Sequence, residues 1–171
     1  MMKYLQKLGK AIMLPVAVLP VAAIMMGIGY AMCPATMQGG DVTGIIQIIG
    51  FALVKIGSAV IDKLPMLFAV GVAIGLSKDQ HGAAGLAGLV AFLTVTTVLN
   101  SGVVATMMGA EEAPLAFSKI DNAFIGIISG ITASVCYNKF SSAQLPTALA
   151  FFSGKRCVPI VTSFVMVAES A

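Results

Sequence analysis

Residues 11–32, AIMLPVAVLPVAAIMMGIGYAM, run for 22 positions without a charged side chain, directly behind a start that carries Lys3, Lys7 and Lys10. As a helix this stretch is about 33 Å long, enough to cross a hydrocarbon core of about 30 Å. A secretory signal peptide also has a basic start and an apolar centre, but its apolar part covers only about 7 to 15 residues and ends at a small-residue cleavage site. Here the run is longer, and no A-x-A site with a soluble chain follows, so a retained span is expected. Pro15 and Pro20 lie inside it. Each removes a backbone hydrogen bond and tends to kink a helix, which membrane helices tolerate when neighbours repair the freed carbonyls. The first span is therefore expected to pack inside a bundle.

Composition points to the same solvent. The 171 residues are 58% hydrophobic and 10% charged, with a mean hydropathy of +1.00, whereas soluble domains are about a quarter charged. Ten Lys and Arg with seven Asp and Glu cannot cover a core of this size in water. The lipid bilayer is the expected partner. The net charge of +3 is too small and scattered for a nucleic-acid footprint, so no nucleic acid is expected. Cys33, Cys136 and Cys157 form no CxxC pair and lie in or beside apolar runs, where they read as packing residues. His81, in the polar turn SKDQHG, has no ligand partner in sequence. No metal and no cofactor are expected.

Further apolar stretches follow. GIIQIIGFALVKIGSAVI (44–61) and PMLFAVGVAIGL (65–76) flank the polar pair Asp62–Lys63, so 44–77 reads either as two short tilted spans or as one broken crossing. Lys55, inside the first piece, either snorkels to an interface or is a buried functional charge. AAGLAGLVAFLTVTTVL begins a span expected over about 83–104, with Gly85 and Gly88 as small packing residues. NAFIGIISGITASVCYN (122–138) sets Gly126 and Gly130 four apart on one face, a spacing expected to serve helix packing. LPTALAFFSG (145–154) fits an amphipathic segment lying at the interface. CVPIVTSFVMVA (157–168) is only about 18 Å long as helix and is expected as an interrupted span. The expected fold class is all-α: a polytopic transmembrane helical bundle of about four to six membrane segments.

Charge sets the expected orientation. Cytoplasmic loops collect Lys and Arg, so the N-terminus is expected inside. The loop 100–121, with Glu111, Glu112 and Asp121 against Lys119, is expected outside. The loop 139–156, with Lys139, Lys155 and Arg156 and no acid, is expected inside, with Lys155 and Arg156 as a cytoplasmic anchor. These placements agree when 44–77 makes one net crossing.

In this order and spacing, KLGKAIMLPVAVLPVAAIMMGIGYAM, LPMLFAVGVAIGLSKDQHGAAGLAGLVAFL, IDNAFIGIISGITASVCYNKF and LPTALAFFSGKRCVPI resemble the first half of the membrane-embedded IIC subunit of the bacterial sugar phosphotransferase system. The branch resembled is that of glucose, maltose and N-acetylglucosamine, with FSKIDNAFIGIISG and SKDQHGAAGLAGLVAFL most like the N-acetylglucosamine members. The resemblance implies a multi-pass protein of the bacterial inner membrane that takes up a sugar and releases it as a phosphate ester. The phosphoryl group comes from a cysteine on a IIB domain, charged in turn by a histidine on IIA. It also implies a scaffold half that carries a dimer interface, so a homodimer or association with other IIC subunits is expected. The sugar-contacting histidine and glutamate of the family belong to the other half, and no matching block occurs here.

None of the three cysteines matches the family's phosphorylated cysteine, and neither a IIA nor a IIB domain is recognisable. No catalytic residue is carried over, and the sugar-binding residues stay unassigned. The expected function is that of a truncated permease subunit, inactive alone. The alternative is a small membrane scaffold or dimerising partner without transport. An unrelated pore-forming protein is disfavoured by the four matched blocks.

Overall fold

Proline sets the first interruption. The computed structural model describes residues 2–109, 117, 119–144, 151 and 153–170. Within them α1 (Met2–Val16) stops one residue after Pro15, and α2 (Leu19–Met32) begins with Pro20 in its first turn, where no donor is needed. The Val18 N–H bridges the break by donating to the Pro15 carbonyl at 3.3 Å. A short α3 (Ala35–Gln38) follows, then α4 (Ile45–Asp62) and α5 (Leu64–Leu76), so 44–77 divides at Lys63 into two helices. Next come α6 (Gly82–Val98), α7 (Ser101–Met108), α8 (Ala123–Phe140), a 3-10 turn (Gly154–Arg156) and α9 (Cys157–Ser170). The described residues are all-α, with no strand. Residues 145–150 of the expected interfacial segment, and Glu111 and Glu112 of the acidic loop, lie outside the described residues.

Among the described residues, three helices are long and apolar enough to cross a membrane: Met2–Met32 taken through its break, Ile45–Asp62 and Ala123–Phe140. A fourth arises if α6 and α7, bent by 52°, count as one span; α5 is shorter. The span expected over about 83–104 has a helix break at Leu99–Asn100. Asn100 is the cause the geometry shows, because its Oδ1 accepts the Gly102 N–H at 3.0 Å and starts a new helix. The threonines before it also bond back to their own helix, Thr94 to the Val90 carbonyl at 2.8 Å and Thr96 to that of Phe92 at 2.9 Å, a habit that bends helices.

The chain divides into two units, Met13–Leu64 and Met1–Ile12 with Pro65–Ala171. In the smaller unit α2 packs along α4. Ala22 and Gly29 on one helix and Gly50, Val54 and Gly57 on the other are buried. In the larger unit α5 is apolar around its whole circumference, the pattern of an enclosed helix, and Phe68, Ala69, Val72, Ala73 and Leu76 are buried. Helices α6, α8 and α9 pack on one another around Ala84, Ala87, Ala91, Ala133, Cys136, Tyr137, Val158 and Met166. The many alanines suit lipid, where close van der Waals contact holds helices together and lipid tails compete for apolar surface. Outward-facing Leu86, Phe124 and Phe164 are largely exposed, as a bilayer-facing surface requires.

Candidate functional site

Polar side chains are scarce here, so their meeting places are informative. After Leu76 the chain leaves α5 through a tight turn, with Ser77 Oγ donating back to the Ile74 carbonyl at 2.7 Å. Gln80 takes a left-handed φ of 50°, uncommon for a residue with a Cβ. His81 then opens α6: its Nδ1 accepts the Ala83 N–H at 3.1 Å. The histidine serves as a helix cap, a place more often held by Ser, Thr, Asp or Asn.

Asp79, in this turn, accepts two hydrogen bonds on one oxygen, from the Tyr137 hydroxyl at 3.0 Å and from the Lys155 ammonium at 2.6 Å. Tyr137 is on the last turns of α8 and Lys155 is in the 3-10 turn before α9, so three segments distant in sequence are clasped together. Asn138 reinforces the contact. Its Oδ1 accepts the Lys78 N–H at 2.8 Å, its Nδ2 donates to the Leu76 carbonyl at 3.2 Å, and its own carbonyl accepts from Lys78 Nζ at 3.4 Å. Gly154, at a φ of 68°, donates its N–H to the Ala143 carbonyl at 2.9 Å and so presents Lys155 to the acid. The first turns of α1 reach the same end. Ala11 abuts Gly75, where a Cβ would lie 2.8 Å from the Ala11 Cα. Lys7 and Lys10 line a cavity of about 370 Å³ with Ser77, Lys78, Asp79 and Gln80.

The Lys155 hydrogen bond, aided by that from Tyr137, holds the Asp79 carboxyl at about 2, against an ordinary value of 3.8. The same bond raises Lys155 above the ordinary lysine value of 10.5. A carboxylate this acidic is a poor proton acceptor at neutral pH, since a general base works best near the operating pH. The chemistry of the cluster is that of a fastening. For Asp79 the folded value lies below the unfolded one, so its contribution to stability is complete above pH ~4 and lost as pH falls through about 2. For Lys155 the contribution is complete below pH 10.5 and lost as pH rises through its higher folded value. With side chains 41% and 43% exposed, solvent screens the pair. Carboxyl NMR titration of the chain in micelles is expected to place the Asp79 midpoint near 2 and to return it towards the ordinary value in Lys155→Gln; an ordinary midpoint in the unaltered chain would dissolve the clasp.

The expected site residues fall in different places. Lys155 is in the clasp, while Arg156 lies with its guanidinium 5.0 Å from the Phe151 ring centroid and donates to the Phe151 carbonyl at 3.4 Å. On α8, Gly126 and Gly130 face α5: a Cβ on Gly126 would strike the Pro65 carbonyl, and one on Gly130 would lie 2.8 Å from the Ala69 oxygen. Gly88 of α6 meets that same oxygen, at 2.5 Å from its would-be Cβ. Lys55 is exposed, with its ammonium 5.3 Å from the Phe51 ring centroid, and lines a cavity of about 550 Å³ in the smaller unit with Tyr30, Ser58 and Asp62. Cys33 and Cys136 are buried, Cys157 is partly so, and none is bridged. Sequence reasoning missed the pairing of Asp79 with Lys155. Its signal was there: one acid in the 77–82 turn, and cations without an acid over 139–156.

The family model for the phosphotransferase system EIIC component matches residues 9–168. This chain belongs to the EIIC family. Over 169 residues, 98% of this chain and 31% of the relative, it is 38% identical to the PTS system N-acetylglucosamine-specific EIICB component of Bacillus subtilis (strain 168). Over 180 aligned positions, 95% of this chain and 26% of the relative, it is 37% identical to the PTS system glucose-specific EIICBA component of Staphylococcus saprophyticus subsp. saprophyticus. The chain thus spans between a quarter and a third of the length of these EIIC-containing relatives. The clasp, the glycine contacts of α5 and the basic end of the larger unit all lie inside the EIIC match, apart from Lys3 and Lys7 of α1.

Proposed function

We propose that residues 1–171 form the scaffold part of the membrane permease of a phosphoenolpyruvate-dependent sugar phosphotransferase system, in the branch that handles N-acetylglucosamine or glucose. The observation that carries this reading is the collinear likeness, over 98% of the chain, to a relative named for N-acetylglucosamine. The phosphoryl donor is a IIB domain, as the IIB portion of the relatives' names suggests. The scaffold pairs with a second copy or with another IIC subunit, and Gly126 and Gly130 serve helix packing within it.

By themselves these 171 residues do not transport. A sugar site needs free polar groups that converge on hydroxyls, whereas Asp79 is already engaged by Tyr137 and Lys155, and the Asn138 amide by Lys78 and the Leu76 carbonyl. The protein lies in the bacterial plasma membrane with its N-terminus in the cytoplasm, and Lys155 and Arg156 anchor the same side. Support comes from the clasp, which joins the 77–81 turn to the 154–156 turn, and from the lysines gathered there.

Uptake and phosphorylation of labelled N-acetylglucosamine and glucose in cells lacking their own uptake systems tests the reading. The chain alone is expected to give none, and co-expression with the remaining portion of the Bacillus subtilis relative is expected to restore it. Uptake by the chain alone removes the claim of inactivity; failure of every combination with either sugar removes the permease reading. Reporter fusions after Gly82 and after Ser153 are expected to report cytoplasm at both sites, and an external signal at either reverses the orientation.

A further inference from the structure

We propose that the cavity formed by Lys7, Lys10 and Lys78 is a binding site for the headgroup phosphate of an anionic phospholipid. The inference rests on the membrane placement of the chain and not on the sugar reading. Lys3, Lys7 and Lys10 recur at helical spacing on α1, and the contact of Ala11 with Gly75 fixes the last two over the 77–80 turn. Lys78 enters from that turn, and the three lysines line one cavity of about 370 Å³.

One acid, Asp79, lines the same cavity and leaves it with a net positive charge. Asp79 is held by Lys155 and Tyr137, and among the described residues its bond with Lys155 is the single ion pair. Lys78 Nζ does donate to the Asn138 carbonyl at 3.4 Å, but a neutral carbonyl leaves the positive charge in place. The cavity lies beyond the C-terminal end of the apolar helix α5, beside the basic first turns of α1. Exposed Tyr4 and Leu5, beside Lys7 on α1, give acyl chains an apolar surface to follow. Basic pockets between transmembrane helices are the recognised form of an anionic-headgroup site. A soluble anion would meet the same ammonium groups without that apolar contact.

The test uses the whole chain in neutral detergent micelles, with phosphatidylglycerol and phosphatidylcholine of identical acyl chains as probes and bound lipid counted by native mass spectrometry. Phosphatidylglycerol is expected to bind at least ~10-fold more tightly, and K7Q/K10Q/K78Q to weaken it by on the order of a hundredfold. K7R/K10R/K78R and the remote K63Q/K119Q are expected to retain it. Equal binding of the two lipids overturns the proposal, as does undiminished phosphatidylglycerol binding by K7Q/K10Q/K78Q with unchanged helical content. Full displacement by millimolar inorganic phosphate also overturns it, because the site would then be one for soluble anions. Should the triple glutamine variant fail to fold, a salt titration of the unaltered chain reads the same contact; affinity that does not fall between about 0.05 and 0.5 M salt is equally fatal.

Discussion

Gly130→Val is expected to keep α8 from seating on α5 and to lower the stability of the folded chain by at least about 1–3 kcal/mol, the usual range for an overpacked core. A Cβ at this position lies 2.8 Å from the Ala69 carbonyl oxygen and 2.8 Å from the Val72 Cβ. The oxygen is backbone, so relief requires moving α5 and cannot come from a rotamer change. Gly88 of α6 crowds the same oxygen, so a shift of α5 must also preserve that contact. Gly130→Ala already places the offending carbon and is expected to show a smaller loss in the same direction. Gly27→Ala is the control: nothing lies within 4 Å of its added carbon, and replacing a mid-helix glycine by alanine is expected to be neutral or to stabilise by about 0.5–1 kcal/mol. Loss of helicity with rising SDS fraction, followed by circular dichroism, ranks the three. A Gly130→Val chain that unfolds at the same point as the unaltered one would refute the close approach.

Tyr137→Ala is expected to cost about 3 kcal/mol, near the lower end of the range for deleting a buried aromatic ring. The lower end applies because the neighbours are apolar helix surfaces in lipid, where exposure is penalised less than in water. Tyr137 is 1% exposed and belongs to the cluster with Ala133, Val158 and Met166, so its removal opens a void and also withdraws one of the two donors to Asp79. Tyr137→Phe separates the two effects. It keeps the ring and loses only the hydroxyl, at an expected cost of about 0.5–1.5 kcal/mol, that of a net hydrogen bond. The same SDS unfolding measurement distinguishes them. Equal losses for the two variants would place the whole effect in the hydrogen bond and deny the packing role.

Much of the fold was legible in the sequence because lipid imposes a coarse rule: charge-free runs of sufficient length become helices that cross. The apolar runs at 11–32 and 122–138 fall in helices, the first interrupted at Ala17–Val18, and the four-residue spacing of Gly126 and Gly130 puts both on one face of α8. The break at Asn100 was not legible. It follows from one amide that prefers to cap a new helix, a local hydrogen bond that costs nothing in average hydropathy. The position of His81 escaped for a related reason, since capping depends on backbone geometry. The clasp escaped because periodicity reports which way a side chain faces along one helix and is blind to which distant segment meets it. The charges of Asp79 and Lys155 could be counted, but their pairing belongs to the tertiary arrangement of α5, α8 and the turn before α9.

The clasp also has a date. Asp79 and Lys155 are 76 residues apart, so at about 5–20 residues per second the lysine is synthesised roughly 4–15 s after the acid. During that interval α6 and then α8 are made, and Asp79 lines a cavity with Lys7, Lys10 and Lys78 before Lys155 exists to bind it. The bond closes only when α8 has delivered Tyr137 and the following turn has delivered Lys155. The positive charge of this end therefore rises by one lysine only once the helices beside it have been made.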